Sequence, residues 1–367
     1  MGRLDSLDAF RGFAIASMVL VNNPGDWGHL HAPLAHAAWN GWTFTDLVFP
    51  FFLFAAGASM AISVDRRLKA LQGSEGLVRD LARRAAVIFL VGLALNLVPA
   101  FDFSTVRIPG VLQRIALCIL IAAPLAVHGS TRAIGIWIVL LLAAYTLLML
   151  FVPVPGPDGV VAAGRLEPGR DFGAWLDRAL LEGHLWAQSR TWDPEGITST
   201  LPAAASLLFG VLAGRALLVA RPGLAIPVAF LVAGIAGLAL GLVLDAVLMP
   251  INKNLWTPAY CVFMTGCSLI TFAAFHASMD ATAGALRTAA RKALLPLTIY
   301  GMNALFIFAF SGLVARLLGP YKASLYAPIR ALPITPENAS LVYAVAFEAA
   351  MFAVAWIMWR KRWFVKV

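Results

Sequence analysis

The sequence predicts an all-α polytopic membrane protein of roughly ten transmembrane helices, with both termini on the cytoplasmic side. Of 367 residues, 60% are hydrophobic and only 13% charged, and the mean hydropathy is +0.81; soluble domains sit nearer half apolar and a quarter charged. Apolar runs long enough to cross a bilayer recur along the whole chain, and Lys and Arg return at alternate connections between them.

A helix needs about 20 mostly apolar residues to cross a hydrocarbon core of about 30 Å. By that measure the spans fall at 9–24, 44–64, 83–99, 110–128, 133–152, 197–217, 223–245, 256–276, 294–315 and 340–359. The first is short, as a secretory leader would be, but Asp5, Asp8 and Arg11 interrupt the simple positive start of a leader. Phe10 to Asn22 is therefore read as a retained helix. The second span opens on "TFTDLVFPFF", the fourth carries "GVLQRIAL", and the ninth, with Pro296 and Asn303, is the one most open to a break. Residues 153–195 form the longest outside connection of a single domain covering 1–367. They are too few for a separate enzyme domain and enough for a lid or a carbohydrate-facing wall. Gly210 with Gly214, and Gly237 with Gly241, have G-x-x-x-G spacing; close helix packing is its first reading and a homodimer contact its second. Cys118, Cys261 and Cys267 lie in apolar runs without paired spacing, which points to neither disulfides nor a zinc ribbon.

Charge sets the orientation. Arg3, Arg11, Arg66, Arg67, Lys69, Arg79, Arg83, Arg84, Arg132, Arg215, Arg221, Arg287, Arg291, Lys292, Arg360, Lys361, Arg362 and Lys366 fall on one side. Arg107, Arg165, Arg170, Arg178, Arg190, Lys253, Arg316, Lys322 and Arg330 are spread over the longer loops of the other. A formal charge of +9 distributed in this way flanks membrane helices and forms no single stripe, so no nucleic-acid partner is expected; lipid is the partner implied.

A charged side chain inside a span costs about 2.5–3.5 kcal/mol, so such residues face the protein interior. Asp46, Gln113, Arg114, Asn22 and Asn23 stand out; for Asp245, Asn303 and Glu348 a helix end or a packing hydrogen bond is an equal explanation. Half of the 6 histidines, His29, His31 and His36, lie within "GHLHAPLAHAAWNG". Asp46 follows His36 across the turn "WNGWT", so both converge on the outer mouth of the second helix. A carboxylate that accepts from one imidazole nitrogen fixes the tautomer and leaves the other nitrogen as a base. Acyl transfer needs such a base, with donors nearby for an oxyanion, and Asn22 and Asn254, in "INKNLW", are available. On these grounds alone, an interfacial His36 bonded to a backbone carbonyl fits as well. The spacing H-x-H-x4-H, with Asp26 beside it and Pro33 and Leu34 within it, has no fixed face, so no metal is expected.

The blocks "RLDSLDAFRGFAIASMVLVNN", "HAAWNGWTFTDLVFPFFLFAAGASMAIS", "GVLQRIAL", "WDPEGITSTLPAAASLLFGVLAG", "PINKNLWTPAY" and "YGMNALFIF" resemble, in order and from residue 3 to the C-terminus, the heparan-alpha-glucosaminide N-acetyltransferase family of membrane acyltransferases and its bacterial relatives. The resemblance implies transfer of an acetyl group from cytosolic acetyl-CoA to the amine of a terminal glucosamine across the membrane. It implies that His36 is the essential histidine, Asn22 the functional asparagine of "VN", and Asp46 the aspartate of "DLVFP". "NPGDWGHLHAPLA" is longer than its lysosomal counterpart, which leaves His29 and His31 outside the carry-over. The large lumenal domain of the lysosomal member has no counterpart here, so a catalytic core in a bacterial inner membrane is expected. On that topology the nucleotide end of acetyl-CoA stays near Arg11, Arg66, Arg67, Arg83, Arg84, Arg291 or Lys292. Its pantetheine arm runs toward His36 past Gln113, Arg114, Asn252, Lys253 and Asn254. Two alternatives are a sugar transporter, which needs no oriented base and for which no internal repeat is seen, and an O-acyltransferase acting on an envelope polysaccharide.

Overall fold

A computed structural model describes residues 4–71, 74–219 and 223–365; Arg3, Arg221 and Lys366 of the charge pattern lie outside the described residues. All ten expected spans are helical. In order the helices are α1 (Asp5–Val21), α2 (Phe44–Leu71), α3 (Leu77–Leu97), α4 (Val111–His128), α5 (Thr131–Phe151), α6 (Phe172–Leu181), α7 (Thr200–Val219), α8 (Ala225–Val247), α9 (Pro258–His276), α10 (Gly284–Ala293), α11 (Leu295–Met302), α12 (Ala304–Leu318), α13 (Lys322–Arg330) and α14 (Pro336–Arg360). A two-stranded antiparallel ladder, β1 (Val154–Pro155) with β2 (Val161–Ala162), precedes α6. Among the described residues eight helical segments are long and apolar enough to cross a membrane. α1, at 17 residues, is too short to be one of them, and α3 is excluded by Arg79, Asp80, Arg83 and Arg84 in its first half.

The helices pack in pairs: α2 along α7, α8 along α9, α1 along α11 and α3 along α4. At the centre Phe10, Phe51, Phe54 and Phe272 interlock, with ring centroids 5.4–6.3 Å apart. At the periphery α8 exposes Val228, Leu231, Val232, Ile235, Leu242 and Val243, and α5 exposes Ile136, Trp137, Val139, Leu140 and Leu147. Helix faces this apolar and this uncovered are built for hydrocarbon. This is an integral membrane protein.

The two G-x-x-x-G pairs hold the bundle itself together. A Cβ on Gly210 would lie 2.0 Å from the Phe54 carbonyl oxygen and one on Gly214 2.6 Å from that of Ala58, so α7 closes on α2 through them. Gly237 and Gly241 meet Gly266 and Phe263 of α9 in the same way. Neither pair is left for a second copy, which removes the homodimer reading of that spacing.

Two polar irregularities position the site. Pro50 lies inside α2 and cannot donate to the carbonyl four residues earlier. The hydroxyl of Tyr260 on α9 donates to that orphaned carbonyl, Asp46 O, at 2.6 Å, as a bilayer interior requires. The ninth expected span does break, at Asn303 between α11 and α12. There the Asn303 side chain donates to Trp363 O at 3.0 Å and accepts from Val365 N at 2.9 Å, drawing the segment after α14 against the break.

Candidate active site

Asp46 stands in the first turn of α2, and its carboxylate folds back on the residue before the helix. Thr43 precedes the helix, and its backbone N–H donates to Asp46 Oδ2 at 3.0 Å while Asp46 N donates to Thr43 O at 3.1 Å. The same Oδ2 accepts from Ala37 N at 3.1 Å and Thr43 Oγ1 at 3.2 Å, and Thr43 Oγ1 also donates to Ala35 O at 2.6 Å. The strap carrying His36 is thus folded onto the start of α2. His36 Nδ1 lies 2.6 Å from Asp46 Oδ1; Asp46 is 1% exposed and His36 44%. A buried carboxylate satisfied by two backbone N–H groups stays ionised and takes the Nδ1 proton in a hydrogen bond, which leaves Nε2 as the accepting nitrogen. Asp46 and His36, brought together in sequence only by proximity, form a hydrogen-bonded pair in space.

This pair borders a cavity of about 520 Å³ lined by Asn22, His36, Trp39, Phe49, Arg107, Trp186, Trp192, Glu195, Lys253 and Asn254. Its wall comes partly from the 153–195 connection, through Pro168, Trp186, Trp192, Pro194 and Glu195. Trp192 meets Trp39 and Trp186 edge to face at 5.2 and 5.5 Å. Arg107 clamps this segment by donating from Nε and Nη2 to Asp193 at 2.8 and 2.5 Å and from Nη2 to Glu195 at 2.5 Å. Burial alone would lower the Arg107 pKa, but the two carboxylates outweigh it and hold the guanidinium charged. Burial would likewise raise Glu195, yet Arg107, Arg114 and Lys253 keep it below the usual carboxylate range.

A second cavity, of about 750 Å³, opens toward the other end of α2 and is lined by Arg11, Phe52, Ser59, Ser63, Arg66, Arg67, Arg84, Ile115 and Asn303, among others. Arg11 donates to Gly301 O at 2.9 Å and pairs with Asp8, so its guanidinium is fixed at the wall. Phe49 and Val111 line the first cavity where Phe52 and Ile115 line the second. These positions are one turn apart on α2 and on α4, a separation of about 5 Å. From Asp46 to Arg66 along α2 is about 30 Å at helical rise, the thickness of a hydrocarbon core.

Of the expected cofactor-contacting residues, Arg11, Arg84, Lys253 and Asn254 line one cavity or the other; Arg83, Gln113, Arg114 and Asn252 line neither. The reason is helical phase and prior commitment. Val111 and Ile115 point α4 at the cavities, while Gln113 is turned about 200° from Val111 and packs on Gly92 of α3. Arg114 is fully buried beneath the Trp256 ring, 5.3 Å from its centroid, and donates to Gly196 O and Ser199 Oγ. Asn252 donates to Asn40 Oδ1 at 3.1 Å and accepts from Leu255 N at 2.9 Å, pinning its loop. Arg83 sits on an exposed face of α3. Arg291, also expected near the nucleotide, is bound to Asp5 and Asp280 at 3.1 and 2.9 Å. His29 pairs with Asp26 at 2.9 Å and His31 with Asn338 at 3.0 Å, outside the His36 cavity. Arg107, Glu195 and the Trp39, Trp186 and Trp192 wall were missed: a loop arginine reads as topology, and "WDPEG" gives no sign of what it faces.

The heparan-alpha-glucosaminide N-acetyltransferase catalytic model matches residues 3–158, which contain α1, the His36 strap, α2, α3, α4 and α5. The heparan-alpha-glucosaminide N-acetyltransferase of Homo sapiens is 28% identical over 330 residues, 76% of this chain and 49% of that protein. That of Mus musculus is 28% identical over 307 residues, 70% of this chain and 46% of that protein. The chain spans about half the length of these curated relatives. The His36–Asp46 pair lies inside the matched region, over which this chain is similar to the heparan-alpha-glucosaminide N-acetyltransferase catalytic family.

Proposed function

We propose that this protein is an integral-membrane acetyltransferase of the bacterial inner membrane, moving an acetyl group from cytosolic acetyl-CoA to the amine of a glucosamine-type sugar at the outer face. The observation that carries the reading is the 2.6 Å contact of His36 Nδ1 with buried Asp46, with the other ring nitrogen left to a cavity that also holds Asn22, Lys253 and three tryptophans. A transporter needs no base held by a carboxylate. The nucleotide phosphates of acetyl-CoA suit the cavity that Arg11, Arg66, Arg67 and Arg84 line. The pantetheine arm has about one helical turn to pass between Phe49 and Phe52 to bring the thioester to His36. Indole faces of the kind in the outer cavity stack against the apolar faces of pyranose rings.

In this reaction His36 Nε2 takes a proton from the acceptor amine as the amine attacks the thioester carbonyl, Asp46 holds His36 in the competent tautomer, and Asn22 faces the reacting group. Purified protein in detergent or proteoliposomes, given acetyl-CoA and glucosamine, should release free CoA thiol and form N-acetylglucosamine, and His36→Ala should abolish both. Acetylation at a hydroxyl in place of the amine would make the protein an O-acyltransferase. Sugar flux without CoA release would make it a transporter.

A further inference from the structure

We infer that Lys253 is a catalytic residue whose ammonium holds the oxyanion formed as the acetyl group is transferred, and not a contact for the CoA carrier; this rests on the acyltransfer reading above. Lys253 Nζ lies 3.1 Å from His36 Nδ1 and 3.1 Å from His36 Nε2, and 3.9 Å from Asp46 Oδ1. The ammonium is within hydrogen-bonding distance of each ring nitrogen and is committed to neither alone. It places a positive charge beside both ring nitrogens and so beside the atoms that react. The CoA phosphates have their own arginines, at the far end of α2.

The loop behind Lys253 is built to hold it there. Asn252 is fully buried, and its backbone N–H donates to Thr257 Oγ1 at 3.2 Å. Thr257 in turn donates to Pro250 O at 2.7 Å, and Gly41 N donates to Ile251 O at 2.7 Å. Trp256 takes φ = 53°, in the left-handed region, with its indole N–H on Ser206 Oγ at 3.0 Å. A bulky residue in that conformation is strained and persists only where its surroundings fix it. Pre-fixed donors are what oxyanion stabilisation requires, because no reorganisation is left to do when charge develops.

The chemistry balances as follows. The amine nitrogen bonds to the carbonyl carbon, the C=O π pair moves onto oxygen beside Lys253, and the amine proton passes to His36 Nε2. The oxyanion then re-forms the carbonyl, the C–S bond breaks, and the CoA thiolate leaves with the proton from His36. A nitrogen within about 3 Å of Nε2, attacking a carbon about 3–3.5 Å away, brings the carbonyl oxygen within reach of an ammonium that is itself 3.1 Å from Nε2.

Lys253→Met, Lys253→Gln and Lys253→Arg, assayed for CoA release with acetyl-CoA and glucosamine, test this. Expected are a 100- to 1,000-fold loss of kcat in Lys253→Met and Lys253→Gln, KM for acetyl-CoA within about threefold of wild type, and at least tenfold recovery in Lys253→Arg. The charged and titratable groups facing Lys253 are His36, Asp46, Arg107, Arg114 and Glu195. Burial lowers its pKa against the pull of Glu195 and Asp46, so wild-type kcat should fall as pH rises toward the ordinary lysine value of 10.5 and stay level in Lys253→Arg. A raised KM for acetyl-CoA with unchanged kcat would overturn the proposal and make Lys253 a CoA contact. If Lys253→Met fails to fold, Lys253→Arg with no alkaline shift overturns it equally. A wild type that releases no CoA at all refutes the acyltransfer reading itself, a result separable from either.

Discussion

The sharpest test of the site is Asp46→Asn, which changes one atom of the pair and little else. Asp46 Oδ2 accepts from Ala37 N, Thr43 N and Thr43 Oγ1, while Oδ1 faces His36 Nδ1. An asparagine keeps its carbonyl oxygen on the Oδ2 side, because turning the amide over would set its NH2 against two backbone donors. The NH2 must then face His36 and donate to Nδ1, which forces the ring proton onto Nε2. His36 keeps its place and loses its basic edge. The same exchange of tautomer in a serine protease triad costs about 10⁴ in kcat, equivalent to about 5.5 kcal/mol of transition-state stabilisation. Stability should change less, by about 1–3 kcal/mol, since the capping bonds survive and one hydrogen bond to a charged group is lost. The measurements are kcat for CoA release at neutral pH and the thermal unfolding midpoint of the detergent-solubilised protein. The tautomer argument is refuted if the folded variant keeps more than about a tenth of wild-type kcat.

Arg66→Gln with Arg67→Gln should raise KM for acetyl-CoA about tenfold, leave KM for the sugar unchanged, and show a smaller penalty at high salt, because both arginines line the larger cavity; a matching rise in KM for the sugar argues against a nucleotide site. Asp177, on α6 outside the spans, is pushed up to about 7 from 3.8, first by burial and then by Asp193 and Asp171. Its folded-state pKa exceeds its unfolded one, so its contribution to stability is greatest below about pH 4 and is lost as pH rises toward 7. Asp177→Asn should accordingly raise the unfolding midpoint at pH 8 more than at pH 5, and equal shifts at both would exclude the titration.

The sequence by itself determined the class of fold, because hydrocarbon demands a continuous apolar helix and that demand is local. It determined the approximate position of every span, marked the ninth as the one most open to a break, and singled out the pair His36 and Asp46, which lie 10 residues apart across a single turn. What it left open depends on which side of a helix meets which neighbour. Gln113 and Arg114 carry the marks of a functional pair in an apolar run, yet two or three residues of helical phase turn them toward Gly92 and Trp256 while Val111 and Ile115 meet the cavities. Asn252 and Lys253 are adjacent and equally polar; the backbone N–H of Asn252 on Thr257 Oγ1 and its side-chain amide on Asn40 Oδ1 commit the first to its loop, and the second lies against His36. Arg107 and Glu195, 88 residues apart, meet at 2.5 Å, a contact that only the packing of the whole bundle decides.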